Sequence, residues 1–310
     1  MKKYIFAISV LLIFLAGCAG KEPKTTPQKE PFIGGTIGLL ISFSEDAPPK
    51  EVYDLGGFPF DVDVKLVNDG ERFVAKEDCE VKLSGIEPGE FGKTASDMKK
   101  NPDADLAEKK KDAEGGVIKG AESHVTFSNL NYAGALSGNT PFNIRADVCY
   151  KYRTTANAKL CVKENLLDAA NKDVCLVNED KKTFNSGAPV QVSEFRESAI
   201  GSDKVSFSFK VEEKGNGDIY KAGTKCAGSR SDEDKIYVKV ETGITGLSCS
   251  GLSNGTDTQG YVTLYSGERS VRCIQELSQR GNYEKLVKID LDYDYKEDIT
   301  TEILVKHASA

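Results

Sequence analysis

The sequence predicts an all-β protein made of two tandem antiparallel β-sandwiches. Three observations carry that expectation. Apolar residues alternate with polar ones in stretches that end in Asn/Gly turns, as in Phe58, Phe60, Val62, Val64 and Leu66 before Asn68-Asp69-Gly70. The two halves repeat one another. Amphipathic helical patterns are nearly absent, which disfavours an alternating α/β architecture.

The repeat is the strongest of the three. FPFDVDVKLVNDG at Phe58 to Gly70 aligns with VSFSFKVEEKGNG at Val205 to Gly217, and this alignment also sets Cys79 on Cys226. DVCYKYRTTANAKLCV at Asp147 to Val162 aligns without a gap on DLDYDYKEDITTEILV at Asp290 to Val305, so that Tyr150 and Tyr152 meet Tyr293 and Tyr295. Two blocks in the same order imply one fold used twice. The expected division is a leader over 1–17, a tether over 18–32, a first sandwich over 33–165, a linker over 166–187 and a second sandwich over 188–310.

Taken in order, the chain begins MKKYIFAISVLLIFLAGC: two lysines, an uncharged apolar run too short to span a bilayer, then Leu-Ala-Gly-Cys. This order looks like the lipobox of prokaryotic lipoproteins, a resemblance that implies lipidation of Cys18 and attachment at the extracytoplasmic face of the cell membrane. Ala19 to Pro31 is rich in Lys, Pro and Thr and reads as a flexible tether. Strands follow at Leu39 to Phe43, Phe58 to Leu66, Cys79 to Leu83 and Val117 to Leu130. Ser96 to Glu114 has helical composition with Asp103 as a cap and is expected to form a short, polar, helical insertion in the first sandwich. Phe142 to Tyr152 alternates, Thr154-Thr155-Ala156-Asn157 reads as a hairpin turn, and Ala158 to Lys163 returns. A short helical hint at Glu164 to Asn171 lies in the linker. The second half reads as strands at Val190 to Phe195, Val205 to Glu212, Lys235 to Val240, Gly260 to Leu264, Ser270 to Ile274, Leu286 to Tyr295 and Thr300 to Lys306.

The alternating strand closed by Asn-x-Gly, followed by a terminal hairpin, resembles the CARDB-type and other Ig-like modules of bacterial and archaeal surface proteins. The resemblance rests on Phe58 to Gly70 and Val205 to Gly217. It implies Ig-like sandwiches that serve adhesion, spacing or presentation without catalysis, and it brings no functional residues to transfer.

Eight cysteines stand in a chain with an export-type leader, which favours disulfides. With Cys18 lipidated, seven remain and one is odd. Strand parity puts Cys149 and Cys161 on the outer face of the expected hairpin, where they oppose one another, so a Cys149–Cys161 bridge is expected. Cys249 and Cys273 occur only in the second copy and are expected to pair. For Cys79, Cys175 and Cys226 the options are a Cys79–Cys175 bridge, a Cys175–Cys226 bridge, or neither. No Cys-x2-Cys or histidine spacing supports zinc, and no metal or other cofactor is expected.

Charges are well mixed and sum to −7, which points away from nucleic acid. The two histidines, His124 and His307, have no nameable catalytic partner, and no Gly-x-Ser-x-Gly or His-Glu-x-x-His motif is present. Asp290, Asp292, Asp294, Glu297 and Asp298 resemble a calcium loop in spacing, but Tyr295 stands where such a loop needs glycine. Strand alternation, with Ile289, Leu291, Tyr293 and Tyr295 inward and the aspartates toward water, explains them more simply. Asn254-Gly255-Thr256 is a glycosylation sequon in an expected loop. The function expected is a lipid-anchored, non-catalytic binding, adhesion or structural module. Its partners are the membrane through the anchor, and envelope or surface proteins or glycans. The alternative is the solute-binding lipoprotein of a transporter.

Overall fold

The computed structural model describes residues 30–166, 174–278 and 281–308. Its elements are strands joined by turns and three short 3-10 segments. The first half holds β1 (Leu39–Phe43), β2 (Glu51–Tyr53), β3 (Phe60–Asn68), β4 (Cys79–Ser84), β5 (Lys99–Lys100), β6 (Lys110–Lys111), β7 (Val117–Ile118), β8 (Glu122–Leu130) and β9 (Thr140–Val162). The second holds β10 (Glu179–Lys181), β11 (Phe184–Asn185), β12 (Val190–Ala199), β13 (Lys204–Glu213), β14 (Asp218–Tyr220) and β15 (Lys235–Glu241). It continues with β16 (Leu247–Ser250), β17 (Ser253–Thr256), β18 (Gln259–Thr263), β19 (Glu268–Glu276) and β20 (Tyr283–Lys306).

These strands form antiparallel sheets packed face to face, an all-β, sandwich-like architecture. One small sheet runs β1-β3-β8, its repeat counterpart runs β10-β12-β13-β19-β16, and a ten-stranded sheet contains β17-β18-β15-β20-β9-β4-β5 with β2, β11 and β14 at its sides. The inward faces follow the alternation read from the sequence. Val62, Val64 and Leu66 of β3 and Val125 and Phe127 of β8 pack in one core with Val81 and Leu83 of β4 and Ile144, Ala146 and Val148 of β9. In the second half Phe195, Phe207 and Phe209 stack above Val238 and Val240 of the same core.

The two halves do not stand apart across a linker at 166–187. Residues 32–310 form one compact unit, because the strands that end the two copies, β9 and β20, pair antiparallel from Tyr283↔Val162 to Val305↔Thr140. Thr154 to Asn157 lies in the middle of β9 and is not a turn. It contains no glycine or proline to break the strand, and its threonines are good strand formers. Lys296 to Ile299, expected between two strands, likewise lies within β20. Within this segment Phe184 and Asn185 of β11 pair onto Asn157 and Ala156 of β9. The helical hint over Glu164 to Asn171 falls largely on residues outside those described.

Lys151 stands opposite Asp294 in this ladder, and these two residues are also repeat counterparts. The seam is therefore an approximate two-fold axis between the copies. On its inner face Tyr150 opposes Tyr295 and Tyr152 opposes Tyr293, all four rings are fully or almost fully buried, and they meet edge-on or tilted at 5.6–6.4 Å. Such ring pairs contribute about 1 kcal/mol each beyond simple burial. The turns Asn68-Asp69-Gly70 and Gly215-Asn216-Gly217 cap this cluster. A Cβ on Gly70 would lie 1.8 Å from the Tyr152 hydroxyl, and one on Gly217 would lie 2.3 Å from the Lys296 carbonyl and 2.8 Å from the Tyr295 ring. The repeated glycines are thus dictated by close approach to the repeated tyrosines.

The expected helix within Ser96 to Glu114 is not present. Leu106, the one apolar residue of its centre, is fully buried and exchanges backbone hydrogen bonds with Val74. Asp103 N–H donates to the His124 carbonyl, and the Asn101 amide donates to the carbonyls of Lys76 and Cys79. Tertiary hydrogen bonds hold the segment extended against its helical composition.

Gly70→Ala is expected to lower the free energy of unfolding by about 1–3 kcal/mol, the usual range for overpacking. Denaturant titration checks this. The cost is expected to be smaller when Tyr152→Phe removes the hydroxyl that the new methyl meets.

Candidate functional site

The outer face of the seam carries a grouping of charged side chains around a disulfide. As parity requires, Cys149 faces away from the core with Arg145, Asp147 and Lys151. It is bonded to Cys226, at a Cα–Cα distance of 6.0 Å. The expected Cys149–Cys161 bridge does not form, since both cysteines lie on one continuous strand, twelve positions apart with no turn between them. Cys161 is bonded instead to Cys175, and the segment carrying Cys175 covers it, so Cys161 is buried and not solvent-facing. Cys249 and Cys273 are bonded to each other, directly opposed in β16 and β19. Among the described residues Cys79 is the free thiol, buried in the core. It is not the structural counterpart of Cys226. Cys79 pairs with Tyr150, and one step beyond the β15–β20 register Ile236 stands opposite Tyr293, the counterpart of Tyr150. Burial pushes the Cys79 thiol up to about 12, so it is inert at neutral pH.

The connection from β14 to β15 lies over the seam and is pinned to it twice. Cys226 is held by the disulfide. The Asp294 carboxylate accepts the N–H groups of Gly223 at 3.0 Å and Lys225 at 2.7 Å, which accommodates successive left-handed residues at Lys225 and Cys226 (both φ 52°). Asp294 is buried beneath this loop, and burial raises its pKa against the lowering effect of those bonds. Asp290 is also buried, accepting from the Thr155 hydroxyl at 2.7 Å and the Lys288 ammonium at 2.6 Å, while Asp292 forms a two-pronged pair with Arg153 at 2.6 and 2.9 Å. The inward set Ile289, Leu291, Tyr293 and Tyr295 is as expected. Asp290 and Asp294, however, do not face water, because loops cover this side of the sheet. Each aspartate of the calcium-like run already has its partners, and no group of three His, Cys, Asp or Glu able to hold a metal occurs among the described residues.

Two hollows open beside the Cys149–Cys226 bond. One, of about 80 Å³, is lined by Glu77, Asp78, Lys151 and Asp294. The other, of about 200 Å³, is lined by Lys82, Lys99, Lys225 and Lys296 together with Glu80 and Asp147. A wider, open depression of about 470 Å³ is lined by Val240 to Leu247 and Thr258, with Glu241 its one charged group.

No family model and no curated protein matches the chain.

The remaining titratable clusters are structural in geometry. Asp63 accepts from the Ser44 hydroxyl, from Thr126 at 2.7 Å and faces His124 Nδ1 at 2.7 Å. Ser44 and His124 both turn to the acid and not to each other, so this is no nucleophile–base pair. Burial alone would raise the Asp63 pKa, but these bonds outweigh it, and Asp63 in turn raises that of His124. Asp54 is held down to about 2 by the N–H of Ala308, by His307 and by the N–H of Leu136. Glu197 is buried and pushed up to about 7 by that burial, against the Cys161 N–H at 2.9 Å and the Lys181 ammonium at 3.4 Å. Asn254 is exposed in the β17–β18 hairpin, so its sequon is sterically open.

Peptide mapping without reduction is expected to recover Cys149–Cys226, Cys161–Cys175 and Cys249–Cys273, and a Cys149–Cys161 peptide would contradict the seam. The loop closed by the first bond is the longest of the three, with a separation of 77 residues. Cys226→Ser together with Cys149→Ser is expected to cost about 4–5 kcal/mol on the chain-entropy account. The His124–Asp63 pair gives a pH signature. His124, raised above 6.5, contributes fully below that value and loses its contribution as pH rises through its folded pKa. Asp63, lowered below 3.8, loses its own only as pH falls through its still lower folded value. The stability gap between wild type and His124→Gln is therefore expected to be wider at about pH 5.5 than at about pH 8.5, and to stay under about 1 kcal/mol because His124 is partly exposed.

Proposed function

We infer that this chain is a lipid-anchored, non-catalytic surface protein that stands on the extracytoplasmic face of the cell membrane and serves as a binding or structural module. The observation that carries the reading is the pairing of six cysteines as disulfides in a chain whose first residues follow the lipoprotein pattern. Disulfides persist outside the reducing cytosol, and a diacylglyceryl group on Cys18 supplies two acyl chains, enough for stable attachment. Residues 1–29, which include Cys18, lie outside those described. Among the described residues no helix is long and apolar enough to cross a membrane.

The non-catalytic half of the reading is supported by how the acidic and basic groups are used. Asp54, Asp63, Asp290, Asp292 and Asp294 each brace a strand or a loop, and His124 and His307 each face one of these carboxylates. Partners are then envelope or surface proteins or glycans, approached by a rigid body whose loops are stapled down.

Cys18→Ser is expected to move the protein from the membrane fraction to the soluble extracytoplasmic fraction. Retention in the membrane would overturn the anchor. Cross-linking on intact cells, read by mass spectrometry, is expected to capture envelope components. Capture of a transporter permease would favour solute delivery instead.

A further inference from the structure

The larger hollow beside the Cys149–Cys226 disulfide concentrates positive charge on a protein of net charge −7. The registers of four strands create it. Lys99 of β5 stands directly opposite Lys82 of β4, Lys82 stands opposite Asp147 of β9, and in the next row Glu80, Cys149 and Lys296 line up across β4, β9 and β20. Lys225 is brought over this row by the disulfide-bonded loop.

The two acids do not neutralise the four lysines. Asp147 is occupied by Arg145 at 2.6 Å and by the Ser84 hydroxyl at 2.7 Å. Glu80 reaches Lys99 only at 3.8 Å, and Lys296 reaches Asp218 only at 3.7 Å. Among the described residues neither Lys82 nor Lys225 has an ion-pair partner. Like charges directly opposed across strands repel, and Lys82 and Lys99 are such a pair. An anion between them relieves that repulsion. The backbone is already set for it: Lys225 is fixed by its N–H bond to Asp294 and by the adjacent disulfide, so little ordering is needed on binding.

We propose that this hollow is a binding site for an oxyanion, a carboxylate or a phosphate or sulfate ester, carried on a group about the size of one sugar. Lys82 and Lys225 supply the free ammonium donors, and Lys99 and Lys296 add charge at the rim. This gives the surface role a ligand class, the acidic residues of envelope polymers. It stands on the pocket itself, so its failure leaves the anchoring reading intact and the reverse also holds.

The test is calorimetric titration of the full chain, purified in neutral detergent, with inorganic phosphate, sulfate and glucuronate. Saturable binding is expected for at least one probe, weakening as salt is raised because the site is partly open to solvent. Tightest binding of glucuronate identifies a carboxylate ligand, and tightest binding of phosphate or sulfate identifies an ester. The double variant Lys82→Ala, Lys225→Ala is expected to bind at least about tenfold more weakly, the loss of two charge-assisted contacts. Both side chains are exposed, so folding is retained, which circular dichroism checks. Lys119→Ala, at an exposed lysine outside the hollow, controls for general charge and is expected to bind as wild type. Absence of saturable binding for all three probes, or equal affinity in the double variant, overturns the proposal.

Discussion

The β9–β20 ladder is the constraint on which the rest of the structure depends. Twenty-three consecutive residue pairs run from Tyr283↔Val162 to Val305↔Thr140, so the two copies share one hydrogen-bonded sheet instead of meeting through side chains alone. Everything near the seam follows from that. The Tyr150, Tyr152, Tyr293 and Tyr295 cluster fills its inner face, the glycine turns ending in Gly70 and Gly217 close down on the rings, and the β14–β15 connection is tied across its outer face by Cys149–Cys226 and Asp294. Buried tyrosines need partners for their hydroxyls. Tyr150 donates to Glu297 at 2.6 Å, Tyr293 lies 3.1 Å from the Thr154 hydroxyl, and Tyr295 accepts the Gly217 N–H at 2.7 Å.

Symmetry at the seam is approximate, and its departures locate the site. Lys151 faces Asp294 where two identical copies would oppose like with like. Cys149 has Asp292 as its repeat counterpart, and the connection between β13 and β15 is longer than that between β3 and β4. The extra length supplies the loop carrying Lys225 and Cys226. The lysine-lined hollow therefore exists once per chain, on the side where the first copy's β4 and β5 meet the second copy's loop.

Much of this was legible in the residues. Alternation placed β1, β3, β4, β13, β15 and β19 within a few residues of their bounds, because a face buried against a second sheet enforces period two. The repeat of Phe58 to Gly70 in Val205 to Gly217 marked the equivalent strands. Three things were hidden for physical reasons. Thr154 to Asn157 has turn-like polarity, but nothing in a short window reveals that a neighbouring strand continues past it. Ser96 to Glu114 has helical composition, while its conformation is decided by Leu106 and by backbone partners far along the chain. The Cys149–Cys226 bond depended on a loop folding over the outer face, and an alignment without gaps matched Cys226 to Cys79, concealing that the second copy has its own insertion. Parity had nonetheless placed Cys149 outward, the one local signal that pointed to the site.

Making one sheet from both ends of the chain also sets the order in which the molecule can be completed. β9 is synthesised well before β20, and until β20 arrives the side of β9 that pairs with it is an open edge offering unpaired N–H and C=O groups. A chain interrupted after the first copy would carry that edge permanently, and two such fragments could zip together about the same axis, Lys151 against Lys151. The first copy is thus half of an interface awaiting its own continuation, and the safeguard against premature partners is the speed with which the second copy follows.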